Sequence, residues 1–90
     1  MKNNKILKIS ENIRFEESGK KIIVLDIEKG NFFEMDQFSL NLLNDIENQN
    51  PLNLIPVLEK KYKEFNQNEF NSFVEDLYNK GILVEEDESN

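Results

Sequence analysis

The stretch "KIIVLDIEKGNFFEMDQF", residues 21–38, constrains the fold of this chain more than any other. Residues 21–27 are apolar and β-branched enough for a central strand. Glu28-Lys29-Gly30 then supplies a three-residue turn, with glycine where a left-handed backbone is needed. "NFFEM" is the return strand. Asp36 is a good N-cap, and Phe38, Leu42, Leu43 and Ile46 keep helical spacing after it. A hairpin that runs straight into a helix sets an α+β chain.

The flanks extend this pattern. "IRFEE" alternates with Ile13 and Phe15 on one face, and Ser18-Gly19 forms a turn, so residues 13–35 read as a three-stranded antiparallel meander. Residues 1–10 alternate weakly around Ile6, Leu7 and Ile9 and form either an extra strand or a loose arm. The first helix runs from about Gln37 to Glu47, where "NQNP" breaks it.

Asn50 and Pro51 open a second helix in the cap-then-proline arrangement, with Leu54, Ile55, Leu58 and Tyr62 on one side. A start at Pro51 makes Pro56 an internal proline that costs a hydrogen bond and kinks the helix. A start after Asn53 puts it in the tolerated first turn. Both starts stay open.

The third helix begins at the capping box Asn66-Gln67-Asn68-Glu69. Phe70, Phe73, Val74, Leu77 and Tyr78 form its apolar stripe, and Gly81 ends it. "ILV" (82–84) packs back as a short strand or extended segment, and the acidic "EEDESN" is expected to be disordered. The expected layout is an arm or extra strand at 1–11, one domain at 12–84 and a tail at 85–90. A three-stranded antiparallel meander followed by three helices is a winged helix-turn-helix-like α+β architecture.

Composition limits the chemistry. The 90 residues contain no Cys and no His, which removes thiol nucleophiles, imidazole bases and the usual zinc and haem ligand sets. No enzyme activity and no cofactor are expected. The "EEDE" run has no glycine-turned loop to place ligands around a cation, so no metal site is expected either. The formal net charge is −7, and Arg14 is the sole arginine. That balance opposes nucleic acid and anionic membranes, both of which are held by basic residues. No segment approaches the roughly 20 apolar residues of a membrane helix. The start lacks the apolar core of a secretory signal, so a cytoplasmic location is expected.

The pieces together resemble the PqqD-like family, the leader-peptide recognition domains of ribosomal peptide modification. The resemblance runs through Leu25, Asp26, Gly30, Phe32, Phe33, Met35 and Asp36, then Leu58 and Tyr62, then Phe73, Leu77, Gly81 and Ile82. It covers roughly residues 12–84 and departs at Asp36, where the family often has Asn, and at Pro56. It implies a non-catalytic adaptor that binds the leader of a precursor peptide and presents it to a modifying enzyme, such as a radical-SAM maturase or a leader peptidase. The leader would add as a strand to the third strand of the meander, with its side chains in a groove against the third helix.

The implied peptide-binding residues are Gly30, Asn31, Phe32, Phe33, Glu34 and Met35 on the strand, with Asn71, Val74, Glu75 and Tyr78 on the helix. Alternation sends Phe32 and Phe33 to opposite faces. Val74 and Tyr78 are read as one margin of the stripe, beside a core of Phe70, Phe73 and Leu77. Glu69, Glu75 and Asp76 against Lys80 would attract a basic leader, or simply be a solvated face. Lys60, Lys61 and Lys63 read as surface solubilisers, with docking of a partner enzyme as the lesser reading. Two rivals remain: a winged-helix DNA-binding regulator, which the charge disfavours, and an oligomerisation module pairing by its own edge.

Overall fold

The structure, a computed structural model, describes residues 5–87. Its elements are β1 (Lys5–Ile9), β2 (Ile13–Ser18), β3 (Lys21–Asp26), β4 (Asn31–Met35), α1 (Gln37–Ile46), α2 (Pro51–Lys61), α3 (Gln67–Asn79) and β5 (Leu83–Asp87). The architecture is the expected α+β one. A three-stranded antiparallel sheet in the order β2-β3-β4 precedes three helices, and a separate β1-β5 pair joins the two ends of the chain.

β1 and β5 pair antiparallel from Lys5↔Asp87 to Ile9↔Leu83. The residues before the meander are therefore a strand along 5–9. The segment expected to be a disordered tail holds strand geometry through residue 87, because "VEED" finds the β1 backbone to pair with. Residues 1–4 and 88–90 lie outside the described part.

The β3–β4 turn is longer than the three residues expected. Asp26 pairs with Asn31, leaving Ile27–Gly30 as the loop. Asp26 organises it: its Oδ1 accepts from the Glu28 and Lys29 amides at 3.0 Å each, and its carbonyl accepts the Gly30 amide at 2.8 Å. The side chain is only 5% exposed, and these bonds replace the water it gives up. Gly30 closes the loop at φ 75°, in the left-handed region where glycine is strain-free.

Asp36 caps α1 by accepting the Ser39 amide at 2.8 Å. Asn50 caps α2, which starts at Pro51 and carries Pro56 within it. Asn66 caps α3 by accepting the Glu69 amide at 3.0 Å. At the far end of α3, Gly81 takes φ 78°. The Ile82 amide reaches back to the Leu77 carbonyl at 3.0 Å, the closure that a left-handed residue permits.

The core is aliphatic. Leu7, Val24, Leu43, Ile46, Leu58, Val74, Ile82 and Leu83 are essentially inaccessible, and among the seven Phe only Phe70 joins the buried set. The expectation that the α3 core is Phe70, Phe73 and Leu77 is corrected: Phe70, Val74 and Leu77 are buried, while Phe73 is half-buried against the core. Spacing of i, i+4 and i+7 centres the stripe one position away from Phe73.

Candidate functional site

β4 is an outer strand of its sheet, and the register determines which of its backbone groups are free. The Ile27 amide donates to the Asn12 carbonyl at 2.9 Å, continuing the β2–β3 pairing one step past Ile13↔Asp26. The N–H and C=O of a strand residue point to one side, and the side alternates along an antiparallel strand. Ile23 and Leu25 therefore bond to β2, while Ile22, Val24 and Asp26 bond to β4 through their partners Met35, Phe33 and Asn31. Phe32 and Glu34 turn their backbone groups to the open edge.

Side chains alternate too. Phe33 and Met35 pack against the core. Phe32 stands on the opposite face of the sheet, 66% exposed.

The C-terminal end of α3 reaches β4 through one side chain. Lys80 Nζ sits 5.2 Å from the centre of the Phe33 ring and is held by Asp76 at 2.9 Å. At about 100° per residue, Phe73 and Lys80 fall on the same line of the helix. Towards the other end of β4, Phe38 and Ser39 of α1 share a cleft of about 740 Å³ with Phe70, Phe73 and Tyr62. The chain thus passes from Phe33, beneath Lys80, to Phe38 at the aromatic cleft.

The cleft wall is fastened by polar contacts. Asp45 accepts from Lys61 Nζ at 2.9 and 3.0 Å and from the Tyr62 hydroxyl at 3.0 Å. The Phe38 and Tyr62 rings meet edge to face at 5.4 Å. Burial, then the Asp45 hydrogen bond, push the Tyr62 hydroxyl above its ordinary range, and Asp45 likewise raises Lys61. Tyr62 therefore stays protonated as a donor to Asp45. Lys61, set aside in the sequence as a solubiliser, is a strut for the cleft.

The predicted peptide-binding residues divide among three places. Gly30, Asn31, Phe32, Phe33, Glu34 and Met35 lie together on the turn and strand, as the pattern indicated. Val74 is 0% exposed within the core and cannot line an open groove. Asn71, Glu75 and Tyr78 project from the side of α3 opposite Phe73 and Lys80. They line a second cleft of about 680 Å³, with Leu52, Ile55 and Glu85. The α3 residue that contacts β4 is Lys80, held by Asp76, while Phe73 lines the aromatic cleft with Phe38 of α1. The heptad spacing of Phe73 and Lys80 was the available signal, but a stripe running from Phe70 to Tyr78 does not reveal which margin meets the sheet.

No family model matches the chain, and no curated protein matches it. Among solved structures, that of TbiB1 in complex with the TbiA(beta) leader peptide is similar to it, with a TM-score of 0.62 and 19% sequence identity. The likeness covers 84% of this chain and 93% of the TbiB1 chain, and it establishes the shared fold.

Proposed function

We propose that this chain is a non-catalytic adaptor of the PqqD-like kind, which binds the leader of a precursor peptide by strand addition along β4. The bound peptide would then be presented to a modifying enzyme or leader peptidase. The observation that carries this reading is the open edge at Phe32 and Glu34, on the strand that leads into the aromatic cleft of Phe38, Phe70 and Phe73. The similar TbiB1 fold, solved with a leader peptide, supports it.

Magnitudes divide the work between edge and groove. Two outward residues offer four backbone groups, and at about 1 kcal/mol net per bond they contribute about 4 kcal/mol. Association itself costs at least about 4 kcal/mol in lost translational and rotational freedom, so the edge bonds alone give little affinity and large side chains buried in the aromatic cleft must supply the surplus. Backbone pairing would set the register, and the cleft would set the sequence preference.

Short precursor-like reading frames neighbouring the gene supply test peptides, each divided into N-terminal and C-terminal halves. Titration into isotope-labelled protein is expected to shift the amides of 31–35, Phe73 and Lys80 with an N-terminal half only. Equal binding of both halves, or shifts that avoid β4, would overturn the reading.

A further inference from the structure

The second cleft, between α2, α3 and β5, has a chemistry unlike the first. Leu52 and Tyr78 present exposed apolar surface there, 47% and 46% accessible, beside Ile55. The carboxylates of Glu75 and Glu85 flank them, and no basic residue is among the lining side chains. Neither carboxylate has a cationic partner among the described residues. The first cleft, by contrast, includes Lys61 and Lys63.

The cleft combines two carboxylates, an aromatic face and an aliphatic floor. A guanidinium or ammonium on an apolar stem matches each of these: it donates to the oxygens, stacks over Tyr78 and lays its methylenes on Leu52 and Ile55.

We propose that this cleft is a second docking surface, which takes a Lys- or Arg-bearing amphipathic segment of a partner protein. It lies on the side of α3 away from β4, with the buried Phe70, Val74 and Leu77 stripe between. Both surfaces can be occupied together, which makes the chain a bridge between two partners. The proposal does not rest on leader binding, since its residues and its test are separate from β4.

The test uses two synthetic amphipathic peptides of equal length and identical Leu spacing, one with Arg at every polar position and one with Glu. The Arg peptide is expected to shift the amides of Leu52, Ile55, Asn71, Glu75, Tyr78 and Glu85 while leaving residues 31–35 unmoved. Its affinity should fall about fivefold in the Glu75→Gln, Glu85→Gln double variant, as expected for two exposed charge pairs. It should also fall in Tyr78→Ala but hold in Tyr78→Phe, which keeps the ring. Thermal melts confirm that the variants stay folded. Equal binding of the Glu peptide, shifts spread over all acidic surfaces, or unchanged affinity in the double variant would overturn the proposal. Concentration-dependent shifts of the cleft without any peptide would assign it to a second copy of this chain and overturn it as well.

Discussion

Proline at residue 34 and proline at residue 33 should have opposite consequences, although the positions are adjacent. The Glu34 amide points to the open edge, so Glu34→Pro removes no bond from the sheet. It deletes one donor to a bound strand, worth about 1 kcal/mol, or about fivefold in affinity. The ring also occupies the approach path, so the expected loss is fivefold or more. The Lys21–Glu34 contact, 3.4 Å and largely exposed, is lost too, and Glu34→Gln isolates that part. It should change binding and stability little, because exposed pairs contribute about 0–1 kcal/mol.

Phe33→Pro instead removes the amide that pairs with Val24, a residue that is 0% exposed. An unsatisfied buried carbonyl costs about 1–3 kcal/mol. Losing the half-buried ring adds to that, within the about 3–5 kcal/mol typical of truncating a fully buried Phe. A small domain with about 5–15 kcal/mol in total is severely weakened by such a change. Thermal melts followed by circular dichroism, with peptide titration by fluorescence anisotropy, separate the two effects. If Glu34→Pro melts the sheet while Phe33→Pro leaves it folded, the assigned direction of the edge groups is wrong.

Other changes probe the framework. Asp26→Ala should lower stability by about 1–3 kcal/mol, since the Glu28 and Lys29 amides lose their acceptor; chemical denaturation measures it. Val74→Asp should abolish the folded circular dichroism signal, because an unpaired carboxylate in the core belongs to the class costing more than about 4 kcal/mol. Asp36→Ala should cost about 1 kcal/mol as a lost helix cap. The Ser39 amide bond holds the Asp36 carboxyl below its ordinary value of 3.8. Its stabilisation is therefore present above that value and is lost as pH falls through the lower folded one. The stability gap between wild type and Asp36→Ala should accordingly close in strong acid.

The meander and helix caps were legible because each depends on neighbours in sequence: Gly30 at a left-handed turn, Asp36, Asn50 and Asn66 ahead of apolar spacing. The β1–β5 pair was not, since it joins Lys5 to Asp87 and no local pattern announces a partner so distant. The β4 half of the candidate site was readable from the hairpin. The α3 half was less readable: Val74 is buried and Asn71, Glu75 and Tyr78 line the second cleft, because the stripe from Phe70 to Tyr78 is wider than the face it buries. Phe73, as apolar as Val74, therefore looked like core while Val74 looked like rim. Phe38, which keeps helical spacing with Leu42 and Leu43, and Phe73 line an open cleft rather than the core. Pro56 left two helix starts open, and its exposed position lets α2 continue through it from Pro51.

Amide hydrogen exchange along β4, with and without bound leader peptide, tests the central claim most directly. In the free protein the Asn31, Phe33 and Met35 amides should be protected by β3, and those of Phe32 and Glu34 should exchange quickly. Leader binding should slow Phe32 and Glu34 selectively. A bound leader that leaves those two amides as fast as in the free protein would contradict strand addition at β4.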